Sequence, residues 1–335
     1  MSNNRTFNAL LVEENSDNTF SKTVVTRSVD DLPDNELLIE VHYSSLNYKD
    51  AMSASGNKRI SQNFPHTPGI DAAGVVISDK SNTFSTGDEV LVFGYDLGMN
   101  TPGGLGQIIS IPAKWAVACP DTLTLKEAMT YGTGGLTAAL CIQKLETMGA
   151  KPSDGPVAVT GATGGVGSIS IALLKHLGYE IIAFSGKPEQ SDKLKSLGAT
   201  EILHRDSLLE VKDALAAKPK WAHAIDTLGG DYLTGLLKHL KPGGAVANVG
   251  LAASPEISMS VIPFITRGIS LLGVDSVYIP LDDKKHIWHR VATDMKLPNL
   301  AQYGQEITLN ETPDYLDRFF DGKVVGRYVV NLQDA

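Results

Sequence analysis

The sequence predicts an α/β protein in which a β-rich part is joined to a doubly wound parallel sheet. Three observations predict it. Strand-type apolar runs, with dense Pro and Gly punctuation from Pro65 to Pro120, fill the first part of the chain. From about Leu125 the pattern changes to helical runs alternating with short apolar strands, as in a parallel sheet covered by helices. Glycines then crowd one place: seven of the 32 fall between Gly155 and Gly186. A chain of 335 residues has room for two domains and buries a sizeable core without covalent staples.

In order along the chain, β-branched and aliphatic residues predict strands at 7–12, 36–43, 69–77 and 89–93, with Thr86-Gly87-Asp88 as a turn before the last. The second part predicts strands at 157–160, 180–184, 201–203, 222–226, 245–249 and 269–273. The remaining chain carries one or two helices and a final strand at 327–331. It is too short for a domain of its own and is expected to fold back onto the first part. The expected division is therefore discontinuous: 1–127 with 275–335 as one domain, and 128–274 inserted as the second.

The strand at 157–160 runs straight into Gly161-Ala162-Thr163-Gly164-Gly165-Val166-Gly167. A helix follows, with Ile169, Ala172, Leu173 and Leu177 on one face and Gly178 as its C-cap, and then the next strand. Strand, glycine turn, helix and strand in that order form a βαβ unit built for a pyrophosphate. The backbone must approach the anion closely, and the helix N-terminus offers it free N–H groups. Ala162 stands at the first glycine position of the usual fingerprint; Gly164 and Gly167 hold the second and third. After the second strand, an NAD site places an acid for the ribose 2′-hydroxyl. This chain has Ser185-Gly186-Lys187 there, and Arg205 follows the third strand. A hydroxyl and two cations suit a 2′-phosphate, so NADP is expected over NAD.

Charge and cysteine content exclude other classes. Lys plus Arg number 29 against 38 Asp plus Glu, a net charge of −9, which disfavours nucleic acid or an anionic membrane as partner. No apolar stretch approaches the ~18 residues that a membrane span needs. The N-terminus lacks the pattern of a secretory signal. A cytoplasmic protein is expected, with Cys119 and Cys141 as free thiols, too few for a disulfide framework or a four-cysteine zinc lobe. The strand at 269–273 reads as a sheet edge, which either a two-fold partner or the chain itself would cover.

Several segments together resemble the medium-chain dehydrogenase/reductase superfamily over nearly the whole chain: 44–51 (SSLNYKDA), 68–71 (PGID), 103–105 (GGL), 161–168, 224–227 (AIDT), 250–251 and 273–277 (GVDSV). Segments 46–50 and 273–276 are the specific ones and are most similar to the NADPH-dependent acrylyl-CoA reductases, a zinc-independent branch near the quinone oxidoreductases. The resemblance implies a GroES-like catalytic domain and a Rossmann domain, with NADPH as cofactor. It implies that Tyr48 lies beside the nicotinamide, and that Thr163, Gly164, Gly165 and Val166 cradle the pyrophosphate. Ser185, Gly186, Lys187 and Arg205 are implied at the 2′-phosphate, and Leu251, Ile265 and Ser276 along the nicotinamide half. Asp321 stands where such relatives place a polar cofactor contact, although an acid is unfavourable beside phosphates. Zinc-dependent relatives carry a Cys near position 47 and a His-Glu pair near 70. Here those places read Asn47-Tyr48 and Ile70-Asp71. His286 and His289 form an isolated step on a helix, so no metal is expected.

The implied chemistry is reduction of a conjugated C=C bond in an enoyl-CoA thioester, or alternatively of a quinone or small enone. Hydride reaches the β-carbon, hydrogen-bond donors stabilise the enolate, and a proton reaches the α-carbon. Tyr48 is the candidate proton donor or nicotinamide positioner, since its neutral phenol can donate. It also has a plain packing role open to it against the ribose. Asn47 and Asp50 are candidate orienting groups, with helix capping as the alternative. Lys58, Arg59 and Arg267 are the cations available to a CoA phosphate. A nucleotide-binding protein without catalysis is the remaining reading.

Overall fold

The computed structural model describes residues 5–211 and 213–334. The chain begins with strands β1 (Thr6–Glu14), β2 (Phe20–Ser28) and β3 (Leu37–Ser45), then helix α1 (Tyr48–Ala54). Strands β4 (Asp71–Asp79), β5 (Glu89–Phe93), β6 (Ile108–Ile111) and β7 (Ala116–Ala118) precede helix α2 (Leu125–Thr147). Next come β8 (Val157–Val159), α3 (Gly165–His176), β9 (Ile181–Ser185), α4 (Ser191–Leu197), β10 (Glu201–His204) and β11 (Trp221–Asp226). They are followed by α5 (Gly230–Lys238), β12 (Leu240–Asn248), α6 (Ile262–Arg267) and β13 (Ser270–Gly273). Helix α7 (Leu281–Ala292), β14 (Gly304–Thr308), α8 (Thr312–Asp317) and β15 (Arg327–Asn331) complete it.

Two units emerge. One comprises the chain up to Thr133, Val277–Thr293 and the chain from Pro298 onward; the other comprises Gly134–Ser276 and Asp294–Leu297. The change of unit falls inside α2, whose backbone leaves the helical region at Gly132, with φ 48° and ψ −160°.

In the first unit, β1 and β2 form an antiparallel hairpin with Thr6 opposite Ser28. The main sheet has the order β14-β15-β3-β4-β5-β7. β6 also pairs with β3, covering Leu37 to Glu40, while β15 covers its other end, with Val329 opposite Ser45. β15 thus returns the end of the chain to the centre of the N-terminal sheet, beside the point where β3 delivers Asn47 into α1. Leu10, Leu37, Ile39, Leu46, Val90 and Val330 lie in the buried core of this unit.

In the second unit, six parallel strands run in the order β10-β9-β8-β11-β12-β13. The chain winds outward from β8 in one direction and then from β11 in the other, so the topological switch point lies between β8 and β11, where α/β sheets bind ligands. Phe184 packs edge-on to Trp221 on the sheet at a centroid distance of 5.4 Å. The Trp221 Nε1–H donates to the Leu236 carbonyl at 3.1 Å.

The second sheet follows the expected strands closely. The exception is β12, which begins at Leu240, before Pro242-Gly243-Gly244. A register irregularity opposite Trp221 and His223 absorbs that interruption. β2 has no fully buried residue, and Ser, Lys, Thr and Arg flank its two consecutive Val. That weak alternation explains why no strand is predicted there.

Candidate cofactor and catalytic site

The loop after β8 reaches α3 through Gly164, the residue that caps the helix. Gly164 N–H donates to the Gly161 carbonyl at 2.9 Å, and Ser168 N–H donates to the Gly164 carbonyl at 2.9 Å. A Cβ on Gly167 would stand 2.3 Å from the Gly161 carbonyl oxygen, so only glycine permits this approach of helix to strand end. Thr163, Gly164, Gly165 and Val166 therefore surround the N-terminus of a twelve-residue helix whose first turn carries no acid. Such a terminus attracts an anion through unpaired N–H groups and the helix dipole. The switch point beside it is braced by Asp226. Its carboxylate accepts from Thr160 Oγ1 at 2.6 Å, Gly229 N at 2.8 Å and Asn248 Nδ2 at 2.9 Å. Burial raises the Asp226 pKa above the usual carboxylate value, against these bonds.

At the end of β9, Ser185 is buried and its Oγ accepts from the Lys187 backbone N–H at 3.0 Å. Arg205 lies against the same turn. A Cβ on Gly186 would stand 2.9 Å from Arg205 Nε, which shows how closely the guanidinium covers the glycine. It also lies 5.6 Å from the centre of the Tyr232 ring, whose hydroxyl donates to Asp206 at 2.8 Å. Burial holds the Lys187 ammonium below its ordinary pKa, the Arg205 charge pushes the same way, and Glu189 opposes. Two cations converging on one serine-glycine turn repel each other, and a dianionic phosphate relieves that repulsion. This arrangement fits the 2′-phosphate of NADP.

Leu251 follows β12 and lines a cleft of about 520 Å³ with Asn248, Gly250, Gly273, Val274 and Asp275. Ile265 is exposed on α6, and Ser276 is buried after β13; neither lines that cleft.

In the first unit Tyr48 opens α1 and is 53% exposed. Its ring meets Phe320 and Phe319 edge-on, at centroid distances of 5.8 and 6.4 Å. Asn47 and Asp50 form a reciprocal cap around it. Asp50 accepts the Asn47 backbone N–H at 2.7 Å and the Ile70 N–H at 2.9 Å. Burial, reinforced by the neighbouring Asp71, pushes the Asp50 carboxyl up to about 7. The Asn47 side chain is spent on Asp71, the Ser45 carbonyl and Arg327. Asp50 thus caps α1, the Asn47 side chain is engaged beneath it, and Tyr48 is the exposed member of the trio. Arg327 opens the strand expected at 327–331, and nothing in the sequence marks its charge as buried.

The other candidates are engaged elsewhere. The Arg267 guanidinium donates to the carbonyls of Lys238, Leu240 and Ala217, which removes it from the cations offered to CoA. Lys58 pairs with Glu14 at 2.6 Å and lies over the Phe64 ring, and Asp321 pairs with Lys323 at 2.6 Å. His286 and His289 sit on α7. Among the described residues, no group of three or more His, Cys, Asp or Glu is placed to hold a metal ion. Both cysteines are unpaired; burial pushes the Cys119 thiol up to about 12 and raises Cys141 as well, so neither is an activated nucleophile. No helix among the described residues is long and apolar enough to cross a membrane.

Comparison with known proteins matches residues 33–121 to the alcohol dehydrogenase GroES-like domain and 165–292 to the zinc-binding dehydrogenase domain. The chain is 42% identical to YhfP of Bacillus subtilis, provisionally named a quinone oxidoreductase, over 97% of this chain and 99% of that protein. The crystal structure of YhfP with NAD bound superposes with a TM-score of 0.95, covering 98% of this chain and 100% of that one. The acrylyl-CoA reductase AcuI of Ruegeria pomeroyi is 39% identical, over 97% of this chain and 99% of its own length. The yhdH oxidoreductase of Salmonella enterica in complex with NADP has a TM-score of 0.93 at 41% identity, covering 97% of this chain and 99% of that one.

Proposed function

The chain belongs to the medium-chain dehydrogenase/reductase family, in the branch that holds acrylyl-CoA reductase and quinone oxidoreductase-like proteins, and from that membership we propose that it reduces the C=C bond of acrylyl-CoA to give propanoyl-CoA. It is an oxidoreductase that uses NADPH. The observation that carries the cofactor reading is the convergence of Lys187 and Arg205 on Ser185-Gly186, where an NAD site has an acid. The likeness to AcuI over almost the whole chain supports the substrate.

NADPH, when bound, supplies the hydride that the β-carbon accepts. Thr163, Gly164, Gly165 and Val166 hold its pyrophosphate, and Ser185, Gly186, Lys187 and Arg205 hold the 2′-phosphate. Leu251, Ile265 and Ser276 serve the nicotinamide half. Tyr48 gives its phenol proton to the α-carbon, while Asn47 and Asp50 orient it through the first turn of α1. No metal takes part in this scheme. The unit with the parallel sheet takes the nucleotide-binding role and the unit with α1 the catalytic one. The edge position of β13 and the exposed Val261 and Ile265 support a homodimer, and the unpaired cysteines support a cytoplasmic location.

The 42% identity to YhfP favours a second reading, reduction of quinones or small enones by the same machinery. Steady-state turnover of NADPH against acrylyl-CoA, crotonyl-CoA, acrylate and a quinone tests both. Acrylyl-CoA is expected to give the highest kcat/KM. Robust quinone turnover with none of acrylyl-CoA establishes the second reading, and tight NADPH binding with no oxidation by any of them overturns both.

A further inference from the structure

Three neighbouring strands of the first unit, β15, β3 and β4, bring Arg327, Ser45 and Asp71 together beneath the start of α1. Arg327 and Asp71 form an ion pair at 3.7 Å with side-chain exposures of 2% and 0%. Buried pairs of this kind seldom add stability over apolar residues of the same volume, so stability alone does not explain them. What distinguishes this pair is where its hydrogen bonds go. Arg327 Nη1 donates to Asn47 Oδ1 at 3.0 Å, and Asn47 Nδ2 donates to Asp71 Oδ2 at 2.8 Å. Arg327 Nη2 donates to Ser45 Oγ at 2.7 Å, and the Ser45 hydroxyl donates in turn to Asp71. Thr133 adds its N–H, at 2.9 Å, and its hydroxyl to the donors around Asp71. Both ends of the Asn47 carboxamide are therefore gripped, one by the cation and one by the anion. Asn47 immediately precedes Tyr48, whose own ring is half exposed and makes T-shaped contacts with Phe319 and Phe320.

We propose that the buried Asp71–Arg327 pair is a positioning device that clamps the Asn47 carboxamide, thereby fixing the first turn of α1 and the direction of the Tyr48 phenol. The proposal rests on the reading that Tyr48 donates the proton. Arg327 and Asp71 act through Asn47 and touch no reacting atom. The planar guanidinium matters because one fork must reach Asn47, Ser45 and the carboxylate together, which the single ammonium of a lysine does not reproduce.

A kinetic double-mutant cycle on the full chain tests this, with NADPH and the best enoyl-CoA thioester. Asn47→Ala is expected to lower kcat about 10- to 100-fold, the scale of a misplaced reacting group, while the KM for NADPH stays within about twofold. Arg327→Lys is expected to lower kcat in the same direction, and serves in the cycle should Asn47→Ala fail to fold. Tyr48→Phe is expected to lower kcat by about 100-fold or more. Combined with Tyr48→Phe, either variant is expected to cost nothing further, because there is no longer a phenol to aim. Losses that multiply show that the clamp does not act through Tyr48 and overturn the proposal. It falls alone if Tyr48→Phe is crippled while Asn47→Ala and Arg327→Lys both turn over normally. Full activity in Tyr48→Phe removes the Tyr48 reading and the clamp with it.

Discussion

At the scale of the residue, Lys187 is the side chain on which the proposed 2′-phosphate contact is most directly tested. It sits at the end of β9 on the turn that Arg205 also covers; Glu189 partly offsets the Lys187 charge, and Asp206, 3.8 Å from Arg205 Nε, partly offsets the guanidinium. Lys187→Glu is expected to raise the KM for NADPH about 10- to 100-fold and to change the KM for NADH little; equal changes with the two cofactors refute the 2′-phosphate assignment. Asp50 makes a prediction of a different kind. Its carboxyl is held at about 7, chiefly by burial, against about 3.9 in an unfolded chain. The folded state therefore keeps a proton that the unfolded state releases between about pH 4 and pH 7. The stability contribution of this group is present in full below that window and is lost as pH rises through it, by on the order of 2–4 kcal/mol. In Asp50→Asn the fall in Tm between pH 5 and pH 7.5 is expected to be shallower than in the wild type. A parallel pair of Tm–pH curves sinks the assignment. The two cations were legible in the sequence because they stand where an acid is usual. The condition of Asp50 was not, since it depends on burial and on Asp71, a neighbour from a strand that begins 21 residues further on.

At the scale of elements, α2 and α3 show what glycines do beyond ending helices. In α2, Gly132 adopts φ 48°, and a Cβ there would stand 2.2 Å from Ser45 Oγ and 2.4 Å from Arg327 Nη2. The helix yields a turn so that the Asp71–Arg327 cluster fits beside it. Gly132→Ala is expected to cost about 2–4 kcal/mol in urea unfolding, from a strained backbone and an overfilled polar cluster. A change below about 0.5 kcal/mol shows that the cluster relaxes freely. In α3 the glycine pattern announced itself, because strand, turn, helix and strand are consecutive and the spacing of the glycines encodes the approach to an anion. Gly132 lies within an apolar and small-residue run that reads as uninterrupted helix. Its partners, Ser45, Asp71 and Arg327, are distant along the chain. The same contrast separates β12, whose start is hidden by Pro242-Gly243-Gly244, from β8 and β9, whose short apolar runs leave no ambiguity.

At the scale of the whole molecule, two predictions test the reading of the family branch and of the assembly. Incubation with a strong chelator, followed by its removal, is expected to leave NADPH turnover unchanged; a clear loss restored by zinc refutes metal-free chemistry. Sedimentation equilibrium is expected to give twice the mass of the chain, with β13 as the strand that two copies share, and a single-chain mass at micromolar concentration removes the dimer. The sequence by itself determined the parallel sheet, its nucleotide turn and the cofactor preference. Those depend on local periodicity and on residue types a few positions apart. Only the tertiary structure decided what surrounds Tyr48. β15 returns beside β3 to set Arg327 against Asp71, and the pair takes hold of Asn47. The reason is physical. A buried charge is tolerated only with its partners in place, and those partners come from residues 45, 47, 71, 133 and 327, which only folding brings together.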